Sequence, residues 1–329
     1  MNGSQQNASG SGQCCGLPVW SVSEPYLNLR INDVPLAYTP ARGPDIRLEL
    51  SYRQRAPENS YTYFGGTSFG KGWHTLWVSH SKYGTTYLPG GQTEVFSYPG
   101  GSNLSNPGPR TNCKQERLVD QFSQIVGYAI HTPDGSQLRY TTFASQIPAY
   151  LLTEWIDPNG FKLVFNYSGM KITSIQDQDG NYTYLYYADS NNPNCVTSVV
   201  APGGRTVTMT YTSGHLASVT DVVGIASSFA YDANGWATSM TTPYGTTTFA
   251  LTDFASGTIT VDRKAVITEP GGRQHLYAYI DVYGGSDIPA FASSQLPLNT
   301  PKAYAGHPYG SIETEDRKYR HTFYWAPQQ

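Results

Sequence analysis

In this chain of 329 residues, six glycines that each close a turn are followed, seven residues on, by a tyrosine. The pairs are Gly91 and Tyr98, Gly160 and Tyr167, Gly180 and Tyr187, Gly204 and Tyr211, Gly224 and Tyr231, and Gly272 and Tyr279. Seven residues is about one strand length, so each pair reads as a turn plus a strand ending in a large amphipathic ring. Gly135, Gly160, Gly180, Gly204, Gly224 and Gly245 are 25, 20, 24, 20 and 21 residues apart. A near-constant period in that range marks a repeat architecture. One small β unit is stacked many times, and function resides in the surface the stack builds.

Within the units, residues alternate between two faces. Leu163, Phe165 and Tyr167 share a register after Gly160; Thr183, Leu185 and Tyr187 after Gly180; Val207, Met209 and Tyr211 after Gly204; Ser227, Phe229 and Tyr231 after Gly224. The opposite face carries small or hydroxylated residues such as Thr206, Thr208 and Thr210, except where Tyr182, Tyr184 and Tyr186 make one unit aromatic on both sides. Turns are explicit at Asp134-Gly135, Asp157-Pro158-Asn159-Gly160, Asp179-Gly180 and Asn234-Gly235, whose residues tolerate positive φ. A single hairpin is marginal in water, so neighbours must stack.

Composition supports an all-β chain: 14% of residues are charged, with 26 Tyr, 33 Gly and 22 Pro, the mix of many short strands and tight turns. A net charge of −3 without a basic patch excludes the electrostatic case for nucleic acid or an anionic membrane surface. No stretch approaches the roughly 18 apolar residues of a membrane-spanning helix. Residues 1–16 read as a flexible tail, with neither a signal peptide nor an anchor. Residues 17–127 form a β lead-in, in which 17–55 reads as extended edge segments between prolines and 99–114 as a loop. Residues 128–251 hold the repeats, and 252–329 resume in β pattern and end in a strand-like run, as if truncated. Two turns of helix are expected at Ile288–Leu296. Cys14, Cys15, Cys113 and Cys195 are too few for a disulfide scaffold in a chain this long, and free thiols are the simplest reading.

The stretch Tyr211-Thr-Ser-Gly-His-Leu-Ala-Ser-Val-Thr-Asp-Val-Val-Gly224, and the next from Tyr231-Asp232 through Gly235 to Tyr244-Gly245, resemble the YD repeat, Y-D-x-x-G-x-L-x-x-V-x-D-x-x-G. That is the repeat of the Rhs family, which includes teneurins and the C components of insecticidal toxin complexes. Tyr231, Asp232 and Gly235 match directly, whereas Thr212 and Ser168 replace the Asp after Tyr211 and Tyr167. The segments PVWSVSEPYLNL and PLAYTPARGPDIRLELSYRQR are similar to the lead-in of bacterial Rhs-type proteins. The resemblance implies a segment of a spiral β-shell that, in bacterial members, encloses a C-terminal toxic polypeptide and, in teneurins, supports adhesion. No residue here corresponds to the family's C-terminal core, so its self-cleavage and its toxin are carried over to no position.

Candidate chemistry is sparse. Gly65–Gly72 matches a phosphate loop only up to its last position, where Gly72 replaces the Mg²⁺-binding hydroxyl, and the following WHTLWVSH alternates like a strand where the motif needs a helix. His74 and His80 read as solvated, and Asp157, Asp179 and Asp221 as turn residues whose carboxylates bond backbone amides. No catalytic, metal or cofactor residues are expected. The sequence thus points to a non-enzymatic shell segment, secreted or at the cell surface by the family resemblance, whose partner is the remainder of its own polypeptide or a C-terminal cargo. The alternative is an adhesive or carbohydrate-binding repeat protein engaging glycans or a cell-surface protein, with Tyr182, Tyr184, Tyr186 and Trp236 as stacking candidates.

Overall fold

The computed structural model describes residues 16–23, 27–55, 65–88, 92–256, 259–280, 309–314 and 319–324. Cys14, Cys15, Gly91 and the helix expected at Ile288–Leu296 lie outside them. Among the described residues there is no α-helix, and the chain is an all-β repeat array of antiparallel strands. It divides into two compact units: one holds Gly10–Val19 with Ile31–Ser227, the other Trp20–Arg30 with the chain from Ser228 onward. The boundary between the units falls at Ser227/Ser228, and the strand Gly245–Ser256 runs across position 251.

The lead-in contributes β1 (Val19–Ser23), β2 (Asn28–Tyr38), β3 (Ile46–Arg53), β4 (Trp73–His74), β5 (His80–Lys82), β6 (Thr85–Leu88), β7 (Gln92–Val95), β8 (Lys114–Val119) and β9 (Ile125–His131). β3 lies between β2 and β4 and buries Ile46, Leu48, Leu50 and Tyr52 almost completely. It is a central strand, not the edge segment expected from the neighbouring prolines. The unbroken alternation of I-R-L-E-L-S-Y outweighs them, because a strand with one wholly apolar face gains most from burial on that face. WHTLWVSH is not one strand: a 3₁₀ turn at Leu76–Val78 separates β4 from β5.

The repeats of the larger unit are β10 (Gln137–Ala144), β11 (Ala149–Ile156), β12 (Lys162–Ser168), β13 (Lys171–Gln176), β14 (Tyr182–Tyr186), β15 (Ser198–Ala201), β16 (Arg205–Thr212) and β17 (His215–Thr220), each antiparallel to the next. Leu163, Phe165, Thr183, Leu185, Val207 and Met209 are buried, while Thr208 and Thr210 face solvent, so the period-two register holds. The other unit continues the pattern with β18 (Ala226–Tyr231), β19 (Ala237–Thr242), β20 (Gly245–Ser256), β21 (Ile259–Thr268), β22 (Gln274–Ile280), β23 (Tyr309–Thr314) and β24 (Tyr319–Tyr324), each from β18 on antiparallel to its successor. Its buried side chains include Phe229, Met240, Phe249, Ile267 and Leu276.

Strict alternation fails at one recurring place, and the failure explains the L-x-x-V spacing of the repeat. Asn166 pairs with Ser174 but Tyr167 with Ile172, leaving Thr173 as an extra residue. Thr210 pairs with Ser218 but Tyr211 with Leu216, and Ala230 with Ser239 but Tyr231 with Ala237, leaving Ala217 and Thr238 extra. Such a β-bulge reverses the alternation on the returning strand. Residues three apart therefore face the same way there, and Ile172 with Ile175, Leu216 with Val219, and Ala237 with Met240 are all buried.

The repeat tyrosines close the same feature. Tyr167 donates its hydroxyl to the Leu152 carbonyl at 2.7 Å, Tyr187 to Ile172 at 2.8 Å and Tyr211 to Val196 at 2.7 Å, each reaching back 15 residues. The accepting residues have no exposed surface and lie just beyond the ladders Glu154–Val164, Ser174–Tyr184 and Ser198–Thr208. A buried carbonyl without a partner is costly, so the phenol completes the hydrogen bonding where backbone pairing stops. The rings are half-buried.

The D-x-x-G turns are also built alike. Asp157 Oδ1 accepts from the amides of Asn159 and Phe161, Asp177 from those of Asp179 and Asn181, Asp221 from those of Val223 and Ile225, and Asp232 from those of Asn234 and Trp236. In each, the glycine amide donates back to the carbonyl of the same aspartate, a closure that needs the positive φ of Gly160, Gly180, Gly224 and Gly235. Asp179 differs from expectation: Asp177 caps that turn, and Asp179 pairs with Arg42 at 3.1 Å.

The lead-in lies against the repeat sheet within the larger unit. Thr67 accepts at its Oγ1 the amide of Ile172 and shares a 2.8 Å hydrogen bond with the Tyr187 hydroxyl, while Ser68 and Lys71 donate their amides to the carbonyls of Asn194 and Gly214. A Cβ at Gly70 would fall 2.7 Å from the Leu216 amide nitrogen. Gly70 thus serves close packing against a repeat strand, and Gly72 close packing against the Tyr52 ring of β3.

Candidate functional site

The polar groups singled out in the sequence are engaged in structure. Among the described residues no group of three His, Cys, Asp or Glu is placed to hold a metal ion. His74 and His80 are buried, not solvated: they flank the 3₁₀ turn in β4 and β5, and His80 stacks on Tyr87 with centroids 4.2 Å apart. Burial, helped by nearby Arg53, pushes the His74 pKa down to about 4; burial, opposed by a backbone hydrogen bond, does the same for His80. Asp33 is buried as well, and desolvation first, with the charge of Asp221 adding to it, pushes its carboxyl up to about 7. Cys113 and Cys195 are free and buried.

Of the stacking candidates, Tyr182, Tyr184 and Tyr186 project from the open face of β14 and are 39%, 45% and 50% exposed. The rings of Tyr182 and Tyr184 stack, 5.7 Å between centroids and 17° apart in plane. Trp236 belongs to the other unit and is half-buried in the Asp232 turn. Of the repeat residues, Gly272 closes a turn with its amide on the Glu269 carbonyl, Gly204 has φ 76° in the Pro202–Gly204 turn, and Tyr98 donates its hydroxyl to Gln115. The backbone of Tyr279 pairs with Arg263 and Gly310.

A second aromatic feature was not legible in the sequence. β11 pairs with β10 along its length, but its first residues also pair with β5, Tyr150 opposite Ser81, whereas its last residues pair with β12. At this fork lies an open cleft of about 350 Å³ lined by Lys82, Tyr83, Ile125, Tyr128, Phe143, Pro148 and Tyr150. Tyr150 packs edge-on to Tyr128 at 5.6 Å and lies 5.1 Å from Phe143. The Arg117 guanidinium stands 4.0 Å from the ring of Tyr98 and 5.1 Å from that of Tyr83, which stack on each other. The lining residues come from four separated stretches of chain, so no local motif announces them.

A stacked antiparallel array with a shared turn, bulge and tyrosine contact defines the chain as a β-hairpin repeat protein. Residues 212–247 match the family model described as RHS Repeat, so the chain carries an RHS-type repeat, in agreement with the YD pattern. Among solved structures it is similar to the N-terminal domain of the effector protein SpvB from Salmonella typhimurium strain LT2, at 14% identity over 89% of this chain and 98% of that one, with a TM-score of 0.29. It is also similar to a chain in the crystal structure of TcdB2-TccC3-TEV, at 12% identity over 90% of this chain and 18% of that one, with a TM-score of 0.23. No curated protein matches the chain.

Proposed function

We propose that this chain is a non-enzymatic wall segment of an RHS-type shell, secreted or at the cell surface, which encloses or carries a polypeptide belonging to the same protein. The observation that carries this reading is the repetition itself. The hairpins bury one face and leave a mostly hydroxylated face to water, and at Tyr167, Tyr187 and Tyr211 a tyrosine hydroxyl fastens the strand to a carbonyl 15 residues back. Such a unit extends a sheet without limit and exposes little reactive chemistry, which suits a container wall. Limited proteolysis of the full-length protein tests it. A downstream polypeptide that resists protease until the repeats are unfolded supports enclosure; cleavage at the rate of the isolated polypeptide overturns it. Hydrolase activity that follows the purified chain through every column would overturn the non-enzymatic part.

A second reading, adhesion through the β14 face, is favoured by the exposed stack of Tyr182 and Tyr184. Aromatic faces in water suit sugar rings or partner side chains. Specific binding on a glycan array that disappears in Tyr184→Ala would favour it over a pure container.

A further inference from the structure

We infer that the cleft at the β5–β11 fork is a binding site for a saccharide bearing a carboxylate. This site is separate from the β14 face and independent of the shell reading. Four of its seven lining residues are aromatic, three of them phenols, and only Ile125 and Pro148 are aliphatic, unlike a groove for aliphatic peptide segments. Flat rings flanked by hydroxyls match a pyranose, which presents an apolar C–H face and a polar rim. Phe143 and Tyr83 are 56% and 61% exposed and supply the open ring surface. The volume of about 350 Å³ accommodates one or two sugar rings.

The polar atoms define the ligand further. The Tyr150 hydroxyl is committed to the Ile125 carbonyl at 2.7 Å. That of Tyr128 has no hydrogen-bond partner among the described residues, although the residue is only 3% exposed and lines the cleft. The ring is buried but its hydroxyl opens on the cleft, where a ligand oxygen can take the place of a water as its partner. Burial, reinforced by Tyr150, pushes its pKa up to about 12, so it stays a donor at neutral pH. Charge completes the description: Lys82 belongs to the lining and Arg117 stands over Tyr83, while no carboxylate lines the cleft. An anionic group is therefore favoured over a cation, despite the aromatic walls.

The test is calorimetric titration of the whole chain with sialyllactose and with trigalacturonate, against lactose as the neutral counterpart. Saturable binding of an acidic sugar is expected, with Phe143→Ala and Tyr128→Phe each weakening it by roughly tenfold, the weight of one ring contact or one hydrogen bond. Tyr128→Phe keeps the ring and its packing, and Phe143 is exposed, so both variants should unfold at the wild-type denaturant midpoint. Lys82→Gln should remove the preference for acidic over neutral sugar. Absence of saturable binding up to ~10 mM, a weak-affinity limit, would overturn the proposal. So would binding indifferent to Phe143→Ala and Tyr128→Phe, or equal affinity for lactose. Loss of binding in Tyr184→Ala alone would transfer the site to β14.

Discussion

Tyr211→Phe tests the tyrosine contact with a single oxygen atom. The hydroxyl donates at 2.7 Å to the carbonyl of Val196, a residue with no exposed surface. Its removal forfeits a hydrogen bond and strands a buried acceptor, a loss of about 1–3 kcal/mol. Tyr211→Ala also removes a half-buried ring. Truncating a fully buried aromatic costs roughly 3–5 kcal/mol, so half of that ring contribution plus the hydroxyl gives a total of about 3–5 kcal/mol. Tyr167 makes the same bond 15 residues back, so Tyr167→Phe should lose a similar amount, whereas Tyr187→Phe should lose more because the Tyr187 hydroxyl also bonds Thr67. Urea denaturation, read by tryptophan fluorescence, provides the midpoint, and an unchanged slope certifies that stability alone has moved. Wild-type midpoints for all three Phe variants would refute the role of the hydroxyl. An Ala variant no worse than Phe would refute burial of the ring.

Three further outcomes follow from the geometry. Asp221→Ala removes the acceptor of two turn amides and should destabilise by about 1–2 kcal/mol, whereas Asp179→Ala, whose carboxylate makes a largely exposed pair with Arg42, should change the urea midpoint by less than about 1 kcal/mol. Gly224→Ala has open space for its Cβ but φ of 87° and should cost about 1–2 kcal/mol; Gly70→Ala meets the Leu216 backbone at 2.7 Å and should cost clearly more in the same assay. Stability should fall on acidification from pH 6.5 to about 4, because His74 and His80 bind protons more readily in the unfolded chain, each shift being worth about 3 kcal/mol. Asp33 opposes this: its raised pKa adds stability as pH falls from about 7 towards 4, so Asp33→Asn should steepen the acid loss, and a parallel pH profile would refute the desolvation of its carboxyl.

Much of the fold is local and was therefore readable. Turn glycines, the Asp residues before them and the alternation of Val207, Met209 and Tyr211 each report a preference of a few neighbouring residues. These preferences define an all-β repeat array without any long-range information. The error at Asp179 was also local, since two aspartates in Asp177-Gln-Asp179-Gly180 compete for one turn and only the loop geometry selects Asp177. The L-x-x-V spacing was visible but unexplained, because a bulge is a property of two paired strands. What required tertiary structure is the set of relations between distant residues. The tyrosine hydroxyls find carbonyls 15 residues back, His74 and His80 turn inward, β3 becomes central, and Lys82, Tyr128, Phe143 and Tyr150 converge on one cleft. Periodicity is encoded in neighbours along the chain, whereas burial and convergence depend on which strands pair, and pairing is settled only when the whole sheet closes its hydrogen bonds and covers its apolar face.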